Sequence, residues 1–112
     1  MKIKNAQKVV DDWIKKYGVK YFSELSNTVI LTEEVGEFAK IVVRLYGDQS
    51  FKSKEREASA QNDLEEEMAD IFFVLICLAN QMNIDLEQAF IKTIEKKTKR
   101  DKDRHLQNEK LQ

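Results

Sequence analysis

The stretch Leu64-Glu65-Glu66-Glu67-Met68-Ala69-Asp70-Ile71-Phe72-Phe73-Val74-Leu75-Ile76-Cys77-Leu78-Ala79-Asn80-Gln81-Met82 decides the fold. Leu64, Met68, Ile71, Leu75, Leu78 and Met82 recur every three or four residues, which is the spacing of one face of an α-helix. Asp63, followed three residues later by Glu66, is a capping-box pattern and places the expected start of this helix. The nine consecutive apolar residues from Ile71 to Ala79 make the back face, with Phe72, Phe73 and Ile76, as apolar as the front. A helix that is hydrophobic all round is buried all round. Either this helix is central to the monomer, or its second face is covered by another copy. The second solution, a homo-oligomer (dimer or tetramer), is the expectation, because a chain of this size has few other helices to cover it.

Working outward, Asp85 and Gln88 repeat the capping logic ahead of Leu86, Ala89, Phe90 and Ile94, a fourth helix that becomes almost wholly polar toward its end. On the N-terminal side, Leu31, Val35, Phe38, Val42 and Leu45 form the stripe of a helix running from near Ser23 to Gly47. The first helix carries Ala6, Val9, Val10, Trp13, Ile14 and Tyr17, with Asn5 as its expected N-cap and Gly18 just past its end. The polar residues 48–61 lack a persistent apolar period and are read as a connection with one short helical turn. With no proline and three glycines, nothing breaks these helices often. The 112 residues, 42% of them apolar, suit a single domain over 1–112, all-α with a four-helix bundle-like core.

Composition narrows function. Nineteen basic against twenty acidic side chains leave no electrostatic footprint for a nucleic acid polymer. Cys77 is the single cysteine and His105 the single histidine, so neither a disulfide nor a zinc cluster can form within the chain. No apolar run approaches the roughly 20 residues that span a bilayer, and Met1 to Lys4 lead straight into an amphipathic pattern, so the expected location is cytoplasmic with no membrane partner.

Acidic residues concentrate at Glu33 to Glu37 and Glu65 to Asp70. On a wheel of about 100° per residue, with Leu31 as zero, Glu34 and Glu37 share one flank of the apolar stripe, and Glu33 points nearly to the back. With Leu64 as zero, Glu67 and Asp70 fall at the same two angles, and Glu66 points to the back. Leu31 to Glu37 thus aligns with Leu64 to Asp70 as a weak internal repeat. Two such helices packed antiparallel bring four carboxylates to one edge of the core, where ionised and empty they repel. A divalent cation resolves this, and all-oxygen ligands favour Mg²⁺, with Mn²⁺ as the alternative. Acidic residues on helices are more often a solvated face; the duplicated flank position is what argues for a metal.

The pattern Glu33-Glu34-x-x-Glu37 followed by Glu67-x-x-Asp70 resembles the paired motif of the MazG-type, all-α nucleoside triphosphate pyrophosphohydrolases. The N-terminal helix with its tryptophan, the Gly-Asp-Gln-Ser-Phe stretch from Gly47, and the Glu-Lys-Lys-Thr-Lys-Arg-Asp segment from Glu95 extend the likeness along nearly the whole chain to small single-domain bacterial members. The resemblance implies Mg²⁺-dependent hydrolysis of a (deoxy)nucleoside triphosphate between its α and β phosphates, releasing monophosphate and pyrophosphate, in pool control or house-cleaning. It implies Glu34, Glu37, Glu67 and Asp70 as metal ligands and leaves Glu33 either to support them from behind or to position the attacking water, so that Glu33 and Glu34 are the catalytic candidates.

Lys96, Lys97 and Arg100 are the expected phosphate contacts, against the plainer reading that basic residues at a helix C-terminus oppose its dipole. Trp13 is a base-stacking candidate by resemblance, although its place in the first stripe favours core packing. Cys77 lies in the apolar run and is read as core. Two readings stand beside this one: a phosphoribosyl-ATP hydrolase of the same superfamily, and a non-catalytic helical interaction module. Against the latter, all four ligand positions are intact.

Overall fold

The computed structural model describes residues 2–112 and consists of four α-helices with no strand among the described residues. These are α1 (Ile3–Trp13), α2 (Glu24–Tyr46), α3 (Lys54–Gln81) and α4 (Leu86–Asp101), with a five-residue π-helical turn over Ile14–Gly18 and a short 3-10 turn at Glu109–Leu111. The all-α expectation holds.

The start of α3 does not fall at Asp63. The helix begins ten residues earlier, where Ser53 Oγ accepts from the Arg56 backbone N–H at 3.1 Å. Residues 48–61 contain neither glycine nor proline and carry the helix formers Lys, Glu, Gln and Ala, so helix propensity carries α3 through a stretch without apolar period. Asp63 sits inside the helix and accepts from the Ser59 hydroxyl at 2.8 Å. The start of α1 also moves, to Ile3 with Lys2 as its flanking residue, so Asn5 lies within the helix rather than capping it. The expected boundaries of α2 and α4 hold: Ser23 and Asp85 accept from the N–H groups of Ser26 and Gln88. A Cβ at Gly47 would stand 2.7 Å from Val43 O, so the close of α2 requires glycine.

Two bends position the chain. After the π turn, Lys20 N–H donates to Gly18 O at 2.8 Å across Val19, which adopts φ 70°. A β-branched residue in a turn of this hand is strained, and the turn delivers Tyr21 and Phe22 to the start of α2. At the other end, Asn83 (φ 56°) and the Ile84 N–H to Ala79 O bond close α3. The chain then turns by 105° into α4. Gln7 of α1 ties this corner down, exchanging bonds with Asn80 and also reaching Ile84 O and Leu86 N.

α2 and α3 form an antiparallel hairpin, α1 packs on α3, and α4 meets α1. The core is Val10 and Ile14 against Ile76 and Cys77, with Phe73 and Leu86 packed at its edge. Burying Ile76, 1% exposed, is worth about 1.5–3 kcal/mol. This corrects the expected second face of α3: Phe73 and Ile76 are covered by α1 within the chain, because the π turn brings Ile14 and Trp13 across them. The face left open carries Met68, Phe72 and Leu75, with Val35 exposed on α2. The radius of gyration of 18.0 Å exceeds the roughly 13 Å of a compact chain of this length, in keeping with helices that do not close on one another. No single helix is long and apolar enough to cross a membrane; α3 and α4 pass such a test only when joined through their bend.

Candidate active site at the α2–α3 seam

The carboxylate pairs converge where α2 and α3 face each other. Oxygens of Glu34, Glu67 and Asp70 all lie within 4.8 Å of one another. The wheel placed both pairs on a flank of their stripes, whereas the hairpin puts Glu34 and Glu67 into the seam, half-buried, and leaves Asp70 exposed. Glu37 stands outside the trio, its carboxylate 3.4 Å from Lys40 Nζ. Glu33 and Glu66 are exposed, as expected.

The trio is electrostatically unsatisfied. The Glu67 carboxyl is pushed up to about 7, first by hydrogen bonding to Glu34, then by burial and by the charges of Glu34, Asp70 and Glu37. Asp70 is raised by burial and by the charges of Glu34 and Glu66. Glu67 Oε2 is buried without a hydrogen-bond partner. Three hard oxygen donors at this spacing, one of them orphaned, fit a divalent cation of the Mg²⁺ type and give no softer metal a thiolate or imidazole.

Cavities flank the trio on both sides along the seam. Toward the N-terminal half of α2 lies an apolar one of ≈ 360 Å³, bounded by Trp13, Tyr21, Phe22, Asn27, Phe73 and Cys77. Trp13 is not the core residue its stripe suggested: it is 49% exposed and meets Phe73 edge-on, with centroids 5.7 Å apart. Asn27 is buried, its amide nitrogen donating to Gln81 Oε1 at 2.8 Å and to Phe22 O. Cys77 is buried and burial pushes its thiol up, consistent with a core residue rather than a nucleophile.

On the other side is a polar cleft of ≈ 260 Å³ that includes Glu37 and Glu67 with Lys40, Arg44, Arg56 and Phe51. Neither arginine figured in the sequence reading. A signal existed for Arg44, which follows Glu37 by two helical turns on one side of α2, whereas Arg56 lay in a stretch read as connection. Lys96, Lys97 and Arg100 line neither cavity; they are exposed on α4, where Arg100 grips Asp101 at 2.8 Å.

The MazG nucleotide pyrophosphohydrolase domain profile matches residues 22–105, the segment that carries both carboxylate pairs. The chain belongs to the MazG nucleotide pyrophosphohydrolase family. It is thereby a hydrolase of nucleotide phosphoanhydride bonds. It is 41% identical over 107 residues to the uncharacterized protein YpjD of Bacillus subtilis (strain 168), covering 96% of this chain and 93% of that protein. It is similar to the crystal structure of the Bacillus-conserved MazG protein, a nucleotide pyrophosphohydrolase, with TM-score 0.70, 38% identity and coverage of 86% of this chain and 88% of the other. The putative pyrophosphatase YpjD from Bacillus subtilis superposes with TM-score 0.72 at 38% identity, over 86% and 92% of the two chains. The matched segment, residues 22–105, takes in the whole of the α2–α3 hairpin that carries the acid trio.

Proposed function

We propose that this MazG chain is a single-domain cytoplasmic enzyme that hydrolyses (deoxy)nucleoside triphosphates to monophosphate and pyrophosphate with Mg²⁺, controlling or cleansing the nucleotide pool. The observation that carries this is the trio of Glu34, Glu67 and Asp70, set between an apolar cavity on one side and, on the other, a polar cleft that contains Lys40, Arg44 and Arg56. Glu34, Glu67 and Asp70 would hold the ion, with Glu37 as the fourth carboxylate available beside them. When bound, Mg²⁺ supplies charge neutralisation at the phosphates and a lowered pKa for attacking water. Glu33 and Glu34 hold and orient that water. The aromatic wall of Trp13 receives the base, which puts the nucleoside toward Asn27 and the phosphates toward the trio.

The substrate panel is the test: with millimolar Mg²⁺, pyrophosphate should be released from at least one member of a set of canonical and modified triphosphates, and not with EDTA. Turnover of none of them would remove the triphosphate reading.

Assembly belongs to the same proposal. Met68, Phe72, Leu75 and Val35 form an open apolar face on the hairpin, and a second copy is its proposed cover, as a dimer or tetramer. The basic residues Lys96, Lys97 and Arg100 would contact phosphate through such an assembly, from the α4 of a neighbouring copy. Because Phe73 packs under Trp13, Phe72 is the residue to change. Phe72→Glu should sediment at the monomer mass with its helical content retained; a native chain that sediments as a monomer would end the idea.

A further inference from the structure

The cleft beyond the acid trio holds charged groups of both signs, and most of them have partners inside the chain. Glu37 pairs with Lys40, Asp63 accepts from Ser59, and Glu66 accepts from Asn62. Besides Glu67 of the trio, two basic groups do not: among the described residues, neither the Arg44 nor the Arg56 guanidinium forms an ion pair or side-chain hydrogen bond. Arg44 is half-buried, and its Nε has no partner although it is closed off from solvent. Leaving a guanidinium donor buried and unmatched costs stability unless a ligand completes it. The two arginines come from opposite helices, one from α2 and one from the first turn of α3, and they line one cleft that also reaches Glu67. Two planar forks converging from opposite walls suit an oxyanion with several oxygens, and arginine is the residue whose geometry matches phosphate bidentately.

Order along the seam gives that anion its identity. On α2, Asn27 bounds the apolar cavity, Glu34 belongs to the trio, and Glu37 and Arg44 border the cleft; α3 runs through the same three stations in reverse. A triphosphate laid with its base on the apolar side has its α-phosphate at the trio and its remaining two phosphates in the cleft. We propose that Arg44 and Arg56 form the subsite for the β- and γ-phosphoryl groups and hold the pyrophosphate that leaves. This rests on the reading of the seam as a triphosphate site, and it assigns the leaving group first to side chains of the hairpin, with the basic end of a neighbouring copy's α4 as an outer contact only. Fixed positive charge there favours the developing charge on the departing pyrophosphate.

The probe is inorganic pyrophosphate, titrated calorimetrically into the full chain with Mg²⁺, beside a nucleoside monophosphate. Arg44→Gln and Arg56→Gln should each weaken pyrophosphate at least about tenfold, while monophosphate affinity stays within about twofold, since a charge-assisted bond is lost only where the outer phosphates lie. Arg56→Lys should recover part of the loss. Should Arg44→Gln fail to fold by circular dichroism, the exposed Arg56 decides alone. Unchanged pyrophosphate affinity in the folded variants, or equal weakening of both ligands, overturns the subsite, as does a native chain that binds no pyrophosphate. Binding that depends on the arginines in a chain that turns over no triphosphate would keep the subsite and remove the reading of the reaction.

Discussion

Glu67→Gln is expected to cut pyrophosphate release by about 10²–10³-fold or more while making the metal-free protein more stable near pH 8, because in the proposed site the carboxylate that would serve the chemistry is also the one that strains the fold. Glu67 lies in the seam with its Oε2 unpartnered and its carboxyl pushed up to about 7 beside Glu34. Glutamine keeps the shape and removes the charge. The ligand set then loses a hard anionic donor, and the repulsion with Glu34 and Asp70 disappears. Glu34→Gln and Asp70→Asn should behave alike, measured by pyrophosphate release and by melting in EDTA. A variant that lost activity and melted lower in EDTA would show damage to packing, and one that kept full activity would remove Glu67 from the site.

The second large effect is a Mg²⁺-dependent rise in melting temperature that grows with pH. The folded-state pKa of Glu67 lies above its ordinary value of 4.5, so its stabilising contribution is fully present below about pH 4.5 and is lost as pH rises through about 7. Asp70 is shifted in the same direction. The metal-free protein should therefore lose stability between pH 5 and pH 8, chiefly through Glu67, with the exposed Asp70 adding less because solvent screens it. A bound divalent cation takes up the repulsion and adds its own binding energy, so millimolar Mg²⁺ should raise the midpoint by roughly 5–10 °C at pH 8 and much less at pH 5. Asp11, lowered by Lys15 and by Tyr21, has the opposite sign. Its contribution is lost only as pH falls below the ordinary Asp value, outside this window. An equal shift at both pH values would separate the ion from the carboxylates.

Much of this was legible in the chain. The apolar periods of α2 and α3 located both helices, and the repeated Leu-x-x-Glu-x-x-acid pattern singled out Glu34 with Glu37 and Glu67 with Asp70 before any coordinates. The caps at Ser23 and Asp85 could be read because a short polar side chain precedes an apolar period. The first ten residues of α3 could not, because their helicity comes from propensity alone, without an apolar stripe to show it. That omission hid Arg56 and with it one wall of the cleft.

Spacing along a single chain is enough to place the helices and to reveal two matching acid pairs. Which face of α3 is covered was decided only by the tertiary structure. The π turn after Trp13 lays Ile14 over the Phe73 and Ile76 side of α3, so the stripe assigned to the core is split: Leu78 is buried, whereas Met68 and Leu75 are left open. The same packing set Glu34 against Glu67, left Glu37 with Lys40, opened Trp13 to a cavity, and carried the basic end of α4 away from the acids. Periodicity gives the angle of a residue about its own axis; how two axes meet depends on turns such as Val19 and Asn83, whose geometry no helical period records.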